Sequence, residues 1–528
     1  MASVMNAPHI DFRPSDSADF LSAAIKNYGV IFFAAYALTF VVYSYFFTSI
    51  IFTNHTFPNA FIYDYPSYKT LGEGRWFADM LISLFGGAGI QSLEMIVAAG
   101  VQAINGILFS TFMGLRRKEE IFLATAFICV HPTFLDYYSF SADHIAFTFG
   151  DTLALTGALA LQRSPKQPRA FVLATLCFVL SLAAYQPKIG LIALLLALLL
   201  MQISIGAGFE AARPVNFREF ALRAALAAGS FIVAVLVYFI STKLTVVYDS
   251  GFRTHLNGLG AILVQFGNSY SSIYDVTYAN VDYLPRSFRL LPAISVLFGI
   301  GVVILKAWQR GPIWAAIAAA LTLLIPPALK LAKIINDQTW DHSGRIEAPF
   351  AYASLFFLAA ILLTARGRRL AMAALVLYIY FFAVLGSQET NTAAFKSVYD
   401  MNRINRIVVR AEPFLLSRKQ TPVVVIGDMK DNFLDRFRQY QNTTFSSQVR
   451  TEAFASYRQV EIMNFFLGHY GFASPTMAEV KAAIAGATGR KPWPDSEAVY
   501  FNGESIVIIL EPYVTGTSVT WASDDQSR

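Results

Sequence analysis

Residues 181–205 read SLAAYQPKIGLIALLLALLLMQISI, and this stretch decides the fold class. An apolar run that begins near residue 170 ends at Tyr185, and a second run covers 189–206, with only Tyr185-Gln186-Pro187-Lys188 between them. Neither run carries a charge, and each comes near the roughly 20 residues that cross a bilayer as a helix. Two such runs joined by so tight a connection predict an antiparallel helical pair inside a membrane.

The same reading extends in both directions. Apolar stretches recur at about 28–52, 90–115, 119–136, 145–162, 170–185, 189–206, 222–247, 290–308, 312–332, 348–365 and 370–387, about eleven in all. Composition agrees, since 55% of residues are hydrophobic and 14% charged, against roughly a quarter charged in soluble proteins. The fold class is therefore an α-helical polytopic membrane protein with about 11 transmembrane helices. About two dozen polar to mixed residues precede the first stretch, which has no convincing cleavage site and reads as a retained helix rather than a signal peptide.

Loops alternate in character. One set is short and basic: Arg116-Arg117-Lys118, then Arg163, Lys166 and Arg169, then Arg213, Arg218 and Arg223, then Lys306 and Arg310, and last Arg366, Arg368 and Arg369. The positive-inside rule puts all five in the cytoplasm, with the N-terminus inside and the C-terminus outside. This topology absorbs the net charge of +6, so no nucleic-acid partner is implied. Cys129 and Cys177 lie within apolar stretches and suggest neither a disulfide nor a metal site.

Two outer segments read as interfacial helices. Trp76 to Phe85 gathers Trp76, Phe77, Met80, Leu81, Leu84 and Phe85 on one side, and the loop from Tyr248 to Arg289 spaces Leu256, Leu259, Leu263 and Phe266 helically. Packing against a partner helix is the other reading of both.

After Ser387 the composition becomes that of a soluble α/β domain. It predicts a helix over about Thr392 to Ser417, a strand Val423-Val424-Val425-Ile426 ending at Gly427-Asp428, and a helix over about Glu452 to Tyr470. A hairpin follows, from Ala498 to Leu510 around Asn502-Gly503. VVVIGD lacks the GxGxxG pattern and is not read as a nucleotide site. The organisation expected is a transmembrane domain over 1–387, a small soluble domain over 388–514 and a flexible tail over 515–528.

Candidate chemistry lies in the other set of loops, rich in aromatics, Asp, Asn and His. The first holds Asp64 in YDYP, then Lys69, Glu73, Arg75 and Trp76. A carboxylate just outside a membrane, flanked by cations, can take a proton from a sugar hydroxyl while the cations bind phosphate. Alternatively, Asp64 starts a turn before Pro66, and Arg75 and Trp76 anchor a helix at the interface. The second loop adds Asp136, Tyr137, Tyr138, Asp143 and His144, the third is the Tyr185-Gln186-Pro187-Lys188 turn, and the fifth holds Asp337, Trp340, Asp341, His342 and Arg345. Asp151 lies about two turns inside the fourth stretch, where an ionisable group needs a polar cavity or a hydrogen bond between helices. Scattered Asp and His show no metal-ligand spacing, so a divalent metal is unsupported and no cofactor is implied.

The first outer loop with Asp64 and Gly74-Arg75-Trp76, the segment YSFSADHIAFTFGD from Tyr138 to Asp151, and SLAAYQPKIGL from Ser181 to Leu191 together resemble the type II O-antigen glucosyltransferase family of bacterial inner membranes. The likeness spans about residues 25 to 390. It implies a GT-C type glycosyltransferase, a polyprenyl-phosphate sugar donor, a surface glycan or lipid-linked glycan acceptor, and a soluble domain in the periplasm. A first-loop carboxylate acts in catalysis in such enzymes, which maps onto Asp64; Asp143 is the second acidic candidate. The basic residues that match in kind as holders of the donor phosphate are Arg345, Lys188 and Arg75. Trp76, Tyr137, Tyr138, His144, Asp151, Tyr185, Gln186 and Trp340 are the expected contacts to sugar and isoprenoid. Paired acidic residues mark the first loop of many members of the wider class, whereas YDYP offers one.

Two other classes compete. A transporter or flippase would place polar groups near the bilayer midplane and show inverted repeats or broken helix pairs; here Pro326-Pro327 interrupts only one stretch. A non-catalytic assembly subunit would tolerate single charge changes in the outer loops.

Overall fold

A chain crossing hydrocarbon must bond every backbone N–H and C=O internally, and apolar runs meet that demand as helices. The computed structural model describes residues 17–49, 51, 65–85, 91–140, 143–163, 167–206, 215–247, 256–274, 284–336, 344–415, 420–429, 454 and 458–520. The chain divides into two compact units, Met1–Phe47 with Tyr65–Ser387, and Thr48–Asp64 with Gln388–Arg528.

In the first unit the helices are α1 (Ser17–Val42), α2 (Ser44–Thr48), α3 (Tyr65–Leu71), α4 (Trp76–Leu84), α5 (Gln91–Phe112), α6 (Lys118–Val130) and α7 (Leu135–Ser139). They continue with α8 (His144–Arg163), α9 (Pro168–Ala184), α10 (Lys188–Ile205), α11 (Phe217–Thr245), α12 (Leu259–Tyr274), α13 (Leu291–Arg310) and α14 (Pro312–Leu329). Last come α15 (Leu331–Ile335), α16 (Gly344–Glu347), α17 (Pro349–Leu362) and α18 (Arg368–Ala411), which carries on into the second unit.

Each of the eleven expected stretches coincides with a helix. Among the described residues, eight helices are long and apolar enough to span, and α6 with the Pro132–Ser139 segment makes a further one bent by 46°. The remaining two, Lys26–Val42 and Pro168–Ala184, are apolar but shorter. Pro132 causes the bend: it supplies no N–H, and His131 before it takes the extended conformation, with φ −62° and ψ 131°. α7 thereby leaves the axis of α6 by 46°.

Helices α8, α10 and α17 are buried through most of their length, whereas α11 and α13 expose apolar side chains such as Ile232, Leu236, Phe239 and Leu297. An exposed apolar helix wall of this kind suits lipid rather than water. At the basic end the cations have structural work as well. Arg310 donates to the carbonyls of Ser204 and Val215, both at 3.0 Å, and so closes the C-terminus of α10. Arg368 pairs with Glu119 at 3.1 Å and Glu120 at 2.7 Å.

The two segments expected at the interface are helices, with different outcomes. α4 buries Ala78, Leu81 and Ile82 and exposes Met80 and Leu84, so the six-residue face expected of it is split between core and surface. α12 leaves Leu259, Leu263, Val264 and Phe266 exposed.

The second unit corrects one boundary. The eleventh stretch and the first soluble helix form the single 44-residue helix α18, about 66 Å long, because Ser387-Gln388-Glu389-Thr390-Asn391 ends the apolar run without ending the helix. Beyond it lie β1 (Thr421–Ile426), α19 (Gln459–Leu467), β2 (Phe472–Ala473), α20 (Met477–Ala487), β3 (Val499–Phe501) and β4 (Ile506–Ile509). The sheet order is β2-β1-β4-β3, with β1 parallel to both neighbours and β3 antiparallel to β4. Both faces of β1 are buried: Val423 and Val425 pack with Ile404, Ile407 and Val408 of α18, and Val424 and Ile426 with Val480 and Ala483 of α20. That is why its sequence is an unbroken apolar run rather than an alternating one. The hairpin forms in the register Val499↔Ile508, and its turn is locked by Asn502, whose Oδ1 accepts from the amides of Glu504 at 3.0 Å and Ser505 at 2.8 Å. The stretch expected as a flexible tail is held where it is described: Val519 bridges Ile426, and the Thr520 hydroxyl accepts from the Val425 amide at 2.8 Å. Residues 521–528 lie outside the described residues.

Candidate functional site

The tight turn between α9 and α10 organises the site. Lys188 is the first residue of α10, its amide bonded to the Tyr185 carbonyl at 2.9 Å. Its ammonium forms an ion pair with Asp151 of α8 and donates to the Tyr137 hydroxyl. Asp151 also accepts from the hydroxyls of Tyr137 and Tyr352, each at 3.2 Å. Asp151 lies seven residues into α8, about 10 Å from its start, and none of its side chain meets solvent. A carboxylate at that depth is tolerable only with a cation and further donors, and all are present. Gly150 makes room for the pair, since a Cβ there would stand 3.1 Å from Lys188 Cε. Lys188 and Asp151, expected at phosphate and sugar, pair with each other, and with Tyr137 and Tyr352 they join α7, α8, α10 and α17.

Closer to the ends of the same helices lies a second charged group. Lys69 of α3 reaches Asp143 at 3.0 Å and Glu73 at 3.3 Å. Glu73 pairs with Arg75 at 2.8 Å. Asp143, Lys69, Glu73 and Arg75 thus alternate in sign, with Lys69, Glu73 and Asp143 all buried. Arg75 donates from Nε to Gln186 Oε1 at 2.5 Å and lies 4.7 Å over the Tyr185 ring. The Gln186 amide donates in turn to the Glu73 carbonyl. The turn therefore connects the two charged groups, with Tyr185 and Gln186 on Arg75 and Lys188 on Asp151. Gly74 is needed between Glu73 and Arg75: its φ is +67°, and a Cβ would come within 2.1 Å of Thr242 Cγ2.

Among the other expected residues, Arg345 lies 3.7 Å over the Phe140 ring, on the short helix α16, whose Glu347 is bound by Lys330 at 2.7 Å. Trp76 donates its indole N–H to Ser241 at 3.1 Å. His144 Nδ1 lies 3.2 Å from the Phe140 carbonyl. Tyr138 is buried and packs against Tyr43, ring centroids 4.9 Å apart. Asp64 and Trp340 lie outside the described residues, as do Asp337, Asp341 and His342.

Two residues of this region escaped the sequence reading. Tyr352 sits in the uniformly apolar PFAYASLFFLAAIL, where nothing distinguishes its hydroxyl from a packing tyrosine. Glu94 did carry a signal, as an acidic residue inside the apolar stretch at 90–115.

The arrangement brings buried cations beside carboxylates at one end of a helical bundle, the pattern suited to holding an anion while a carboxylate moves a proton. The family model described as Glucosyl transferase GtrII matches residues 58–386, a range that contains both charged groups. The chain belongs to this family. It is accordingly a multi-pass membrane glycosyltransferase. Among solved structures, the GtrII-family chain is similar to the Archaeoglobus fulgidus oligosaccharyltransferase tethered with an acceptor peptide containing the NVT sequon, at 13% identity and a TM-score of 0.34, over 85% of this chain and 69% of that one. No curated protein matches it.

Proposed function

We propose that this GtrII-family protein is a GT-C type, inverting glycosyltransferase that moves a hexose, glucose in the first instance, from a polyprenyl-phosphate donor to a surface glycan such as O-antigen at the periplasmic face of the bacterial inner membrane. The observation that carries the proposal is the buried ladder Asp143–Lys69–Glu73–Arg75 within the family-matched range. It lies at the end of the bundle opposite the basic loops, which the positive-inside rule assigns to the cytoplasm. A nucleotide sugar is not supplied on that side; a lipid-linked sugar reaches the site from the bilayer itself. The N-terminus is then cytoplasmic, and residues 388–514 form a periplasmic domain that helps select the acceptor.

In this mechanism an acceptor hydroxyl oxygen attacks the anomeric carbon, its proton passes to Asp64, and the bond from that carbon to the phosphate oxygen breaks. The lipid phosphate leaves with the electron pair, and the configuration inverts in the single displacement. Arg345 and Arg75 stabilise the charge gathering on the phosphate, where fixed cations contribute most. Asp143 holds Lys69 in place beside them, and Lys188 and Asp151 keep the helices that carry the turn in register.

Membranes containing wild type, Asp64→Asn or Arg345→Ala, incubated with radiolabelled polyprenyl-phosphate glucose and glycan acceptor, test this reading. Wild type is expected to transfer label, with Asp64→Asn reduced by about 10²–10⁴-fold and Arg345→Ala by about 10²-fold. Normal transfer by Asp64→Asn removes it as the base. No transfer by wild type, together with lipid-dependent solute flux, replaces the reading with a transporter.

A further inference from the structure

Glu94 is the unusual carboxyl of the bundle. It lies at the start of α5, its side chain wholly buried, and neither carboxyl oxygen has a hydrogen-bond partner among the described residues. One turn further along, Ala98 packs with Ala78, Leu81 and Ile82 of α4 and with Ile145 and Ala146 of α8. Glu94 therefore lies one turn before the place where α4, α5 and α8 pack together, and Asp143, next to the first residue of α8, acts on it electrostatically. The carboxylates of the two charged groups, by contrast, each have a cation: Asp143 and Glu73 share Lys69, Glu73 has Arg75, and Asp151 has Lys188. A buried carboxyl left without donors costs several kcal/mol relative to one exposed to water, and an apolar residue of the same size would avoid that cost. Stability alone gives no reason for a carboxyl here.

We propose that Glu94 is a substrate-binding group whose carboxyl accepts a hydroxyl of the donor hexose and so sets which sugar the enzyme takes. This inference rests on the reading of the site as that of a sugar transferase. A hexose presents several neutral O–H donors, and a carboxyl can accept from one of them whether or not it carries a proton. A site built to bond a substrate hydroxyl also rejects the analogue that lacks it, because its own buried acceptor is then left unmatched. The ladder cations serve the phosphate, and Glu94 serves the sugar.

The test uses full-length protein in proteoliposomes, with polyprenyl-phosphate glucose and its 2-, 3-, 4- and 6-deoxy analogues as donors. Wild type is expected to discriminate against one deoxy donor by about 10²-fold or more in kcat/KM. Glu94→Ala is expected to lose activity on glucose and to process that deoxy donor nearly as well as glucose. Glu94→Gln, which keeps an acceptor oxygen, is expected to retain part of the discrimination. A third variant, Glu94→Met, keeps the volume without the buried carboxyl and is expected to melt at or above the wild-type temperature, the opposite of what a structural carboxyl would give. Unchanged kinetics in Glu94→Ala, or equal discrimination by wild type and variant, overturns the inference and leaves the transferase reading intact. A lower melting temperature in Glu94→Met, with activity falling only in proportion to folded protein, also overturns it. No transfer by wild type removes the transferase reading, and this inference with it.

Discussion

Lys188→Ala is expected to destabilise the protein by about 3–5 kcal/mol, because it leaves the fully buried Asp151 carboxylate without its cation. The two tyrosine hydroxyls at 3.2 Å still donate, but neutral donors do not replace the lost charge. Thermal unfolding in mild detergent measures the loss. The double variant Lys188→Met with Asp151→Leu removes both charges and keeps the volume, and its stability is expected to return to within about 1–2 kcal/mol of wild type. The same double variant separates two roles for Lys188. Transfer within about tenfold of wild type fits a positioning role, expected because the ammonium is already engaged by Asp151 and Tyr137. A protein with restored stability and no transfer would identify Lys188 as a phosphate ligand after all.

Lys69→Met is expected to have the larger effect on chemistry. This one ammonium holds Asp143 at 3.0 Å and Glu73 at 3.3 Å, and Glu73 in turn holds Arg75. Without it the carboxylates repel each other in a buried setting, and the ladder that fixes Arg75 against Gln186 loosens. The expected result is a loss of transfer of about 10²–10³-fold with a destabilisation of about 3–5 kcal/mol. Lys69→Arg keeps the charge and is expected to recover much of the stability, and less of the activity because a planar guanidinium does not bridge as a compact ammonium does. Adding Asp143→Asn to Lys69→Met is expected to cost less than Asp143→Asn alone costs the wild type, a coupling of about 0.5–3 kcal/mol. Simple additivity would mean that the two residues act independently.

How much of this was legible beforehand depends on the kind of signal. Helix positions were, because an apolar run near 20 residues has few alternatives in hydrocarbon. The bend at His131-Pro132 was not anticipated, since 119–136 reads by hydropathy as one stretch, although Pro132 is the residue that breaks it. The continuity of α18 was not, since hydropathy reports where a helix leaves the apolar phase and says nothing of where it ends. In the site, Asp151 was conspicuous as a charge inside a span, yet its partner Lys188 lay in a loop and was read as facing a ligand. Sequence spacing cannot bring residues 151 and 188 together; the helix packing does. Lys69 and Glu73 were visible as loop charges, while their bridge to Asp143, 74 positions beyond Lys69, is a product of the fold. Tyr138 stands in an aromatic-rich loop, and its packing against Tyr43 is likewise a product of the fold.

The central claim is that the end of the bundle holding Asp143, Lys69 and Arg75 is where the sugar changes hands. The most direct measurement is single-turnover transfer from polyprenyl-phosphate glucose by purified Asp143→Asn in proteoliposomes, at a temperature where it is as fully folded as wild type. The expected rate is lower by about 10²–10³-fold, because Lys69, and through Glu73 also Arg75, loses its fixed position. A rate within threefold of wild type would contradict the claim.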